Sequence, residues 1–180
     1  IMDMVGSSVT SLKIIGNLPY HISSQVLIHL IKLRKSIVSA VLMFQKELAE
    51  RLLSQPGNKV YGRLSVLIQY CASVSRITQV SASSFYPRPK VDSTVLGIRF
   101  LDPLPFPASD EHFLFKVVKA AFGKRRKMLK NALMNADIAF DGNHLMTAFE
   151  KAVIDPQRRA ETLSIEEFVE FSNHLASTRP

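Results

Sequence analysis

The chain has 180 residues, 47% of them hydrophobic, and 23 Lys and Arg against 15 Asp and Glu leave a formal net charge of +8. That length buries one sizeable core and a smaller second one, and no apolar stretch approaches the ~20 residues of a membrane span, so no membrane partner is expected. The basic excess points to a polyanionic partner. The single cysteine, Cys71, lies in the apolar segment 64–72 and reads as a buried thiol in a reducing compartment, while the five histidines are dispersed without a zinc spacing, so no metal is expected.

In chain order, Leu12 to Gly16 reads as a buried parallel strand and Ser23 to Leu33 as a helix capped by Ser23 or Ser24. Val38 to Phe44 is a second strand, continuous in apolar residues as buried parallel strands are. Glu47 to Leu53 reads as a short helix stopped by the turn signal Gln55-Pro56-Gly57-Asn58, and Arg63 to Ala72 as another helix. Arg76 to Val80 and Thr94 to Phe100 alternate in polarity and suit closing strands. The proline-rich stretch 101–107 then breaks every regular pattern and marks a boundary. Beyond it only helical periods occur: Asp110 to Phe122, Arg125 to Asn135, His144 to Val153 and Ile165 to Ala176, with Ser164 and Glu167 as a capping box. The expected organisation is an α/β unit over 1–104 followed by a small all-α unit over 105–180.

Chemistry concentrates at the end of the first strand, in Asn17-Leu18-Pro19-Tyr20. Methylating an exocyclic base amine requires its N–H groups to be held by acceptors, so that the nitrogen lone pair leaves conjugation and faces the incoming methyl. Asn17 offers a side-chain oxygen. Pro19 disfavours the α region for Leu18, compatible with the Leu18 carbonyl facing the same target as a second acceptor. Tyr20 offers a stacking face, worth ~1–3 kcal/mol per base. The same tetrapeptide also suits a strand that ends in a proline turn.

A second segment, Phe85-Tyr86-Pro87-Arg88-Pro89-Lys90-Val91-Asp92-Ser93, places aromatics, two prolines and two cations in one stiff loop. Phe85 or Tyr86 is thereby a candidate second stacking face opposite Tyr20, and Arg88 and Lys90 are candidate phosphate contacts. Between Lys116 and Lys130 lie Lys116, Lys119, Lys124, Arg125, Arg126, Lys127 and Lys130 with no acid among them. Phe115, Val118 and Phe122, then Met128, Leu129 and Leu133, give the same stretch apolar faces at helical spacing, so its cations are expected on docked helices as a phosphate platform. Arg158 and Arg159 read equally well as helix-entry residues pairing with Glu161 or Glu166.

With Gln45-Lys46-Glu47, Tyr61-Gly62-Arg63-Leu64-Ser65 and Phe122-Gly123-Lys124-Arg125-Arg126-Lys127, these segments resemble the rRNA adenine N6,N6-dimethyltransferases over essentially the whole chain. They look most like the type that dimethylates two adjacent adenines near the 3′ end of small-subunit rRNA. The resemblance implies the C-terminal half of a Rossmann-like methyltransferase sheet followed by a helical RNA-binding domain, in a cytoplasmic protein of ribosome biogenesis. It implies S-adenosylmethionine as cofactor and small-subunit rRNA as partner. Asn17, Leu18, Pro19 and Tyr20 become catalytic residues, Asn17 also a cofactor contact, and Tyr20 and Phe85 the base sandwich. Arg88, Lys90, Lys124, Arg125, Arg126, Lys127 and Lys130 become RNA contacts. The family grips its cofactor mainly through a glycine-rich turn, whereas the seven glycines here never approach a G-x-G spacing. Ile1-Met2-Asp3-Met4 does not match the family's acidic segment cleanly, so Asp3 stays outside the site. The expectation is a C-terminal fragment, inactive alone and prone to self-association. Two alternatives stand beside this one: a large-subunit enzyme of the macrolide-resistance type, and a non-catalytic RNA-binding assembly factor.

Overall fold

The computed structural model describes residues 11–124, 126–136 and 141–177, and Asp3 and Arg125 lie outside them. The chain divides into two compact units, one up to Leu53 together with Cys71–Pro103, the other Ser54–Tyr70 together with Leu104–Pro180.

The first unit is built on a four-stranded mixed sheet in the order β1-β2-β4-β3. Strand β1 (Leu12–Asn17) runs parallel to β2 (Ile37–Gln45), Leu12 beside Ile37 and then, after a one-residue shift in register, Lys13 beside Ser39 through Asn17 beside Met43. Strands β3 (Ala72–Val80) and β4 (Ser93–Phe100) close the sheet, β4 lying antiparallel to both β2 and β3. Ala40, Leu42, Phe44, Leu96 and Ile98 bury alternate positions of the two central strands, the two-residue period of a pleated sheet.

Strand β1 departs from the expected burial. Its residues alternate half-buried and exposed, with Ile15 84% exposed, because β1 has a strand neighbour on one side only among the described residues. Strand β3 starts at Ala72, directly after a helix and earlier than its alternation suggests. Ser73 and Ser75 are weak strand formers, and pairing with Arg99 and Gly97 of β4 holds them extended.

Helix α1 (Ser23–Lys32) connects β1 to β2 and buries Leu27, Leu30 and Ile31, the i, i+3, i+4 set of one helical face. Neither Ser23 nor Ser24 caps it. The cap position falls to Ile22, without a side-chain bond, and the Ser23 hydroxyl instead donates back to the Pro19 carbonyl at 3.1 Å. A 3-10 turn over Tyr20–Ile22 feeds the helix, so the chain is already turning where an extended cap residue would stand. Helix α2 (Lys46–Leu53) follows β2 without a loop.

In the second unit, Gly57 turns the chain with φ 86°, a conformation that costs glycine no Cβ clash. Its N–H donates to the Glu161 carbonyl at 2.7 Å, and the Tyr70 hydroxyl accepts from Ala108 N at 3.2 Å. Residues 54–70, assigned from sequence to the first unit, thus cluster with the helices. Helix α3 (Arg63–Cys71) belongs here but for its last residue. It is joined by α4 (Glu111–Ala121), α5 (Leu129–Met134), α6 (Gly142–Lys151) and α7 (Ile165–Ser177), around a core of Phe113, Phe149, Phe168 and Phe171.

Helix α5 begins later than the expected start at Arg125. Lys124 and Arg126 lie in turns and Lys127 in a bend, with Lys127 N donating to the Lys124 carbonyl at 2.8 Å. The free N–H groups of Leu129 and Lys130 are met by the carbonyls of Arg158 and Pro156, at 2.7 and 3.2 Å. Those tertiary partners set the helix start where no side-chain cap is available. Helix α6 ends in a Schellman pattern: Ile154 N donates to the Phe149 carbonyl and Val153 N to that of Glu150. The left-handed position is filled by Val153 at φ 55°, where a β-branched residue is strained.

Ser164 and Glu167 make the expected capping box: Ser164 N donates to Glu167 Oε2 at 2.7 Å, and Glu167 N to Ser164 Oγ at 3.1 Å. The Arg158 guanidinium adds a fork, Nη1 to Oε1 and Nη2 to Oε2, so its partner is Glu167, not Glu161 or Glu166. The Arg158 hydrogen bond, helped by Ser164 and opposed by partial burial, lowers the Glu167 pKa below the ordinary carboxylate value. A depressed folded-state pKa adds stability above the unfolded value and loses it as pH falls through the folded one. Wild type should therefore lose more stability than Glu167→Gln between neutral pH and pH values below about 4. Urea midpoints compared at both ends of that range check this, and parallel losses would exclude the pair as a pH-linked contact.

Candidate nucleic-acid base site

Four strand ends meet at one edge of the first unit's sheet. Asn17 ends β1 and Gln45 ends β2, while Ser93, which opens β4, pairs with both Gln45 and the last residue of β3, Val80. In α/β sheets ligands bind outside the carboxyl ends of the parallel strands, and the tetrapeptide Asn17-Leu18-Pro19-Tyr20 leaves β1 at that edge.

Asn17 is exposed, and among the described residues its side-chain amide has no hydrogen-bond partner. Pro19 sits at φ −57° and ψ 129°, and its carbonyl accepts from Ile22 N and from the Ser23 hydroxyl, each at 3.1 Å. The 3-10 turn therefore uses the Pro19 carbonyl. Outside the sheet ladders, the Leu18 carbonyl accepts nothing from the described residues. Tyr20 is half-buried, and its hydroxyl shares a 2.8 Å hydrogen bond with Ser93 Oγ, on a serine with no exposed surface. Anchored at its far end, the ring has its long axis held in one direction.

That hydrogen bond ties the tetrapeptide to the aromatic loop, because Ser93 is the loop's last residue. The loop is held beside it as well: Asp92 Oδ1 accepts from Ala82 N at 2.9 Å, and the Asp92 carbonyl from Lys46 N at 3.0 Å. Within the loop Phe85 is half-buried, whereas Tyr86 stands fully in solvent at 102% exposure. Only Phe85 is supported enough by its surroundings to be a preformed face. The rings of Tyr20 and Phe85 do not touch each other. Arg88 and Lys90 are exposed on the same loop.

Ser93 and Asp92 hold the site together, a role that the sequence reading does not assign them. The signal for Ser93 was a serine opening an apolar strand, where a buried hydroxyl requires a partner. For Asp92 it was an Asp in a proline-rich loop, where such side chains bond nearby backbone.

The basic residues Lys124, Arg126 and Lys127 are exposed in the second unit and Lys130 is half-buried. They lie on turns, a bend and the start of α5, not on one continuous helix. The segment is nonetheless docked: the Phe122 ring packs edge-on against Tyr61 at 6.3 Å and tilted against Phe168 at 5.9 Å. Tyr61 is wholly buried, and burial together with the charge of Glu167 raises its pKa, keeping it neutral. Among the described residues no group of three or more His, Cys, Asp and Glu is placed to hold a metal ion, and no helix is long and apolar enough to cross a membrane.

The mixed sheet and its helices have the fold of the Rossmann-like methyltransferases. A solved dimethyladenosine transferase from Plasmodium falciparum superposes with a TM-score of 0.75 at 26% identity, covering 92% of this chain and 69% of that one. The 23S rRNA methyltransferase ErmE shares the fold with a TM-score of 0.63 at 18% identity, over 92% of this chain and 66% of its own. The ribosomal RNA small subunit methyltransferase A of Desulforapulum autotrophicum is 51% identical over 164 residues, 91% of this chain and 58% of its own. Its counterpart in Moorella thermoacetica is 44% identical over 163 residues, 91% of this chain and 56% of its own. The family model for ribosomal RNA adenine dimethylase matches residues 5–177, and the chain belongs to that family. It spans less than three-fifths of the length of these two relatives.

Proposed function

We propose that the complete protein dimethylates the N6 amines of two adjacent adenines near the 3′ end of small-subunit rRNA, using S-adenosylmethionine, as a cytoplasmic step of ribosome biogenesis. The observation that carries this reading is the pair of unengaged acceptors, the Asn17 amide and the Leu18 carbonyl, beside a Tyr20 ring anchored by Ser93. The names of the relatives favour the small-subunit reading over the large-subunit one.

Adenine N6 is barely basic because its lone pair is delocalised into the ring. Two acceptors on its N–H groups favour the pyramidal nitrogen of the transition state, a preorganised electrostatic contribution that needs no strong base. Tyr20 and Phe85 lower the cost of taking the base out of its stack. The cofactor supplies an electrophilic methyl group when bound. Of this chain's residues only Asn17 is assigned to meet it, its exposed and unpartnered amide fitting that contact, and no glycine-rich turn occurs in these 180 residues. The test is incubation of the complete protein with unmethylated small-subunit particles and the labelled cofactor. N6,N6-dimethyladenosine in the nuclease digest is the expected product, and its absence would overturn the reading.

Under this proposal the second unit docks RNA through Lys124, Arg125, Arg126, Lys127 and Lys130, with Arg88 and Lys90 contacting phosphates from the aromatic loop. Replacing Lys124, Arg126 and Lys130 by Ala should weaken subunit binding and flatten its salt dependence by about one unit of log–log slope per lost phosphate contact. Turnover at saturating substrate should change far less. An unchanged slope with a lower melting temperature would make these cations packing residues.

A further inference from the structure

Beside the Tyr20–Ser93 hydrogen bond, the end of β2, the first turns of α2 and the aromatic loop enclose an open cleft of about 340 Å³, within the range of sites that take one small ligand. Gln45, Lys46, Glu47, Glu50, Lys90 and Asp92 line it. Two of its carboxylates are already engaged: Glu47 pairs with Arg51 at 2.9 Å, and Asp92 Oδ1 accepts from Ala82 N. Among the described residues, the side chains of Gln45, Lys46, Glu50 and Lys90 make no hydrogen bond or ion pair. Four residues whose polar side-chain groups have no partner, Gln45, Lys46, Glu50 and Lys90, therefore line the same open space.

This mixture selects among ligands. A bare anion meets the carboxylates, and a metal ion meets the two ammonium groups. A nucleotide satisfies all four: phosphate oxygens for the lysines, a ribose hydroxyl or base amine for Glu50, and a base edge for the Gln45 amide, whose donor and acceptor match adenine N6 and N7. Position narrows the choice further. Gln45 is the register partner of Ser93, the residue that anchors Tyr20, so the cleft adjoins the place proposed for the target base.

Resting on the function proposed above, we propose that this cleft seats the nucleotide adjoining the one being methylated, an adenine whose edge is read by Gln45 and whose phosphates meet Lys46 and Lys90. The neighbour is thereby a specificity determinant, and the three side chains are positioning residues that touch RNA but not the reacting nitrogen.

The test uses the complete protein with small-subunit particles carrying A, G, C or U on either side of one retained target adenine, read as kcat/KM for methyl transfer to that adenine alone, so that loss of a neighbour's own acceptor amine does not count. Wild type should favour adenine at one of the two positions by about tenfold, the scale of one bidentate base contact. Gln45→Ala should abolish that preference, with the loss falling on KM. Gln45→Glu, which keeps the size but leaves only acceptors, should move the preference toward cytosine. Lys46→Ala with Lys90→Ala should reduce the salt slope of binding without touching base preference. Methylation by wild type with no neighbour preference, or a preference that survives in both Gln45 variants, overturns the cleft proposal alone. No methylation by wild type overturns the proposed function and this inference with it.

Discussion

Asn17→Ala in the complete protein is expected to slow methyl transfer by roughly 10²–10³-fold, the scale seen when one preorganised group is removed from a charge-stabilising site, here an acceptor where the measured cases are donors. The reason is local. Asn17 is exposed at the end of β1 with its amide unengaged, so its removal leaves no buried partner unsatisfied and opens no cavity. Folding stability and binding to the ribosomal subunit should therefore hardly change, and the loss should fall on kcat. Single-turnover kinetics beside thermal melting separates the effects. Activity within a fewfold of wild type would make Asn17 a strand-terminating residue and return the tetrapeptide to a simple proline turn.

Phe168→Ala should be the most damaging single truncation in the second unit, costing about 3–5 kcal/mol, the range for deleting a fully buried aromatic. Phe168 has no exposed surface and its ring lies 5.9 Å from that of Phe122, which in turn contacts Tyr61. Against the 5–15 kcal/mol that typically separates folded from unfolded domains, that is a large fraction. Phe122 immediately precedes Gly123 and Lys124, so the same truncation also removes packing from the base of the cationic turn. A urea midpoint shifted by less than the equivalent of about 1 kcal/mol would mean that the site collapses around the lost ring, contrary to the packing described.

What sequence reveals here depends on how local the determining physics is. The alternation of Thr94 to Phe100 and the helical period of Ile165 to Ala176 depend on a residue and its near neighbours, and both elements form close to their expected limits. The Ser164–Glu167 box was legible for the same reason. Helix α5 was not, because its start is set by the carbonyls of Arg158 and Pro156, distant in sequence. Ser73 and Ser75 became strand through pairing that no local pattern announces. Residues 54–70 cluster with the helical unit through bonds to Glu161 and Ala108, again at long range.

The candidate site follows the same division. Asn17, Leu18 and Tyr20 were legible because acceptors and an aromatic stand side by side in the chain. The hydroxyl bond from Tyr20 to Ser93 joins residues 73 apart in sequence, and Lys46 reaches the cleft through the meeting of β2 with the aromatic loop. In the sequence the choice of Phe85 over Tyr86 as a stacking face rests on the family resemblance alone, and burial, which sequence does not display, adds its support.

The central claim is that an adenine amine is held by the acceptors at the end of β1, and a structure of the complete protein bound to its RNA tests it most directly. The account predicts a flipped adenine stacked on Tyr20, its N6 within about 3.2 Å of both Asn17 Oδ1 and the Leu18 carbonyl. An adenine bound elsewhere, or Asn17 turned away from an adenine that is nevertheless methylated, would contradict it.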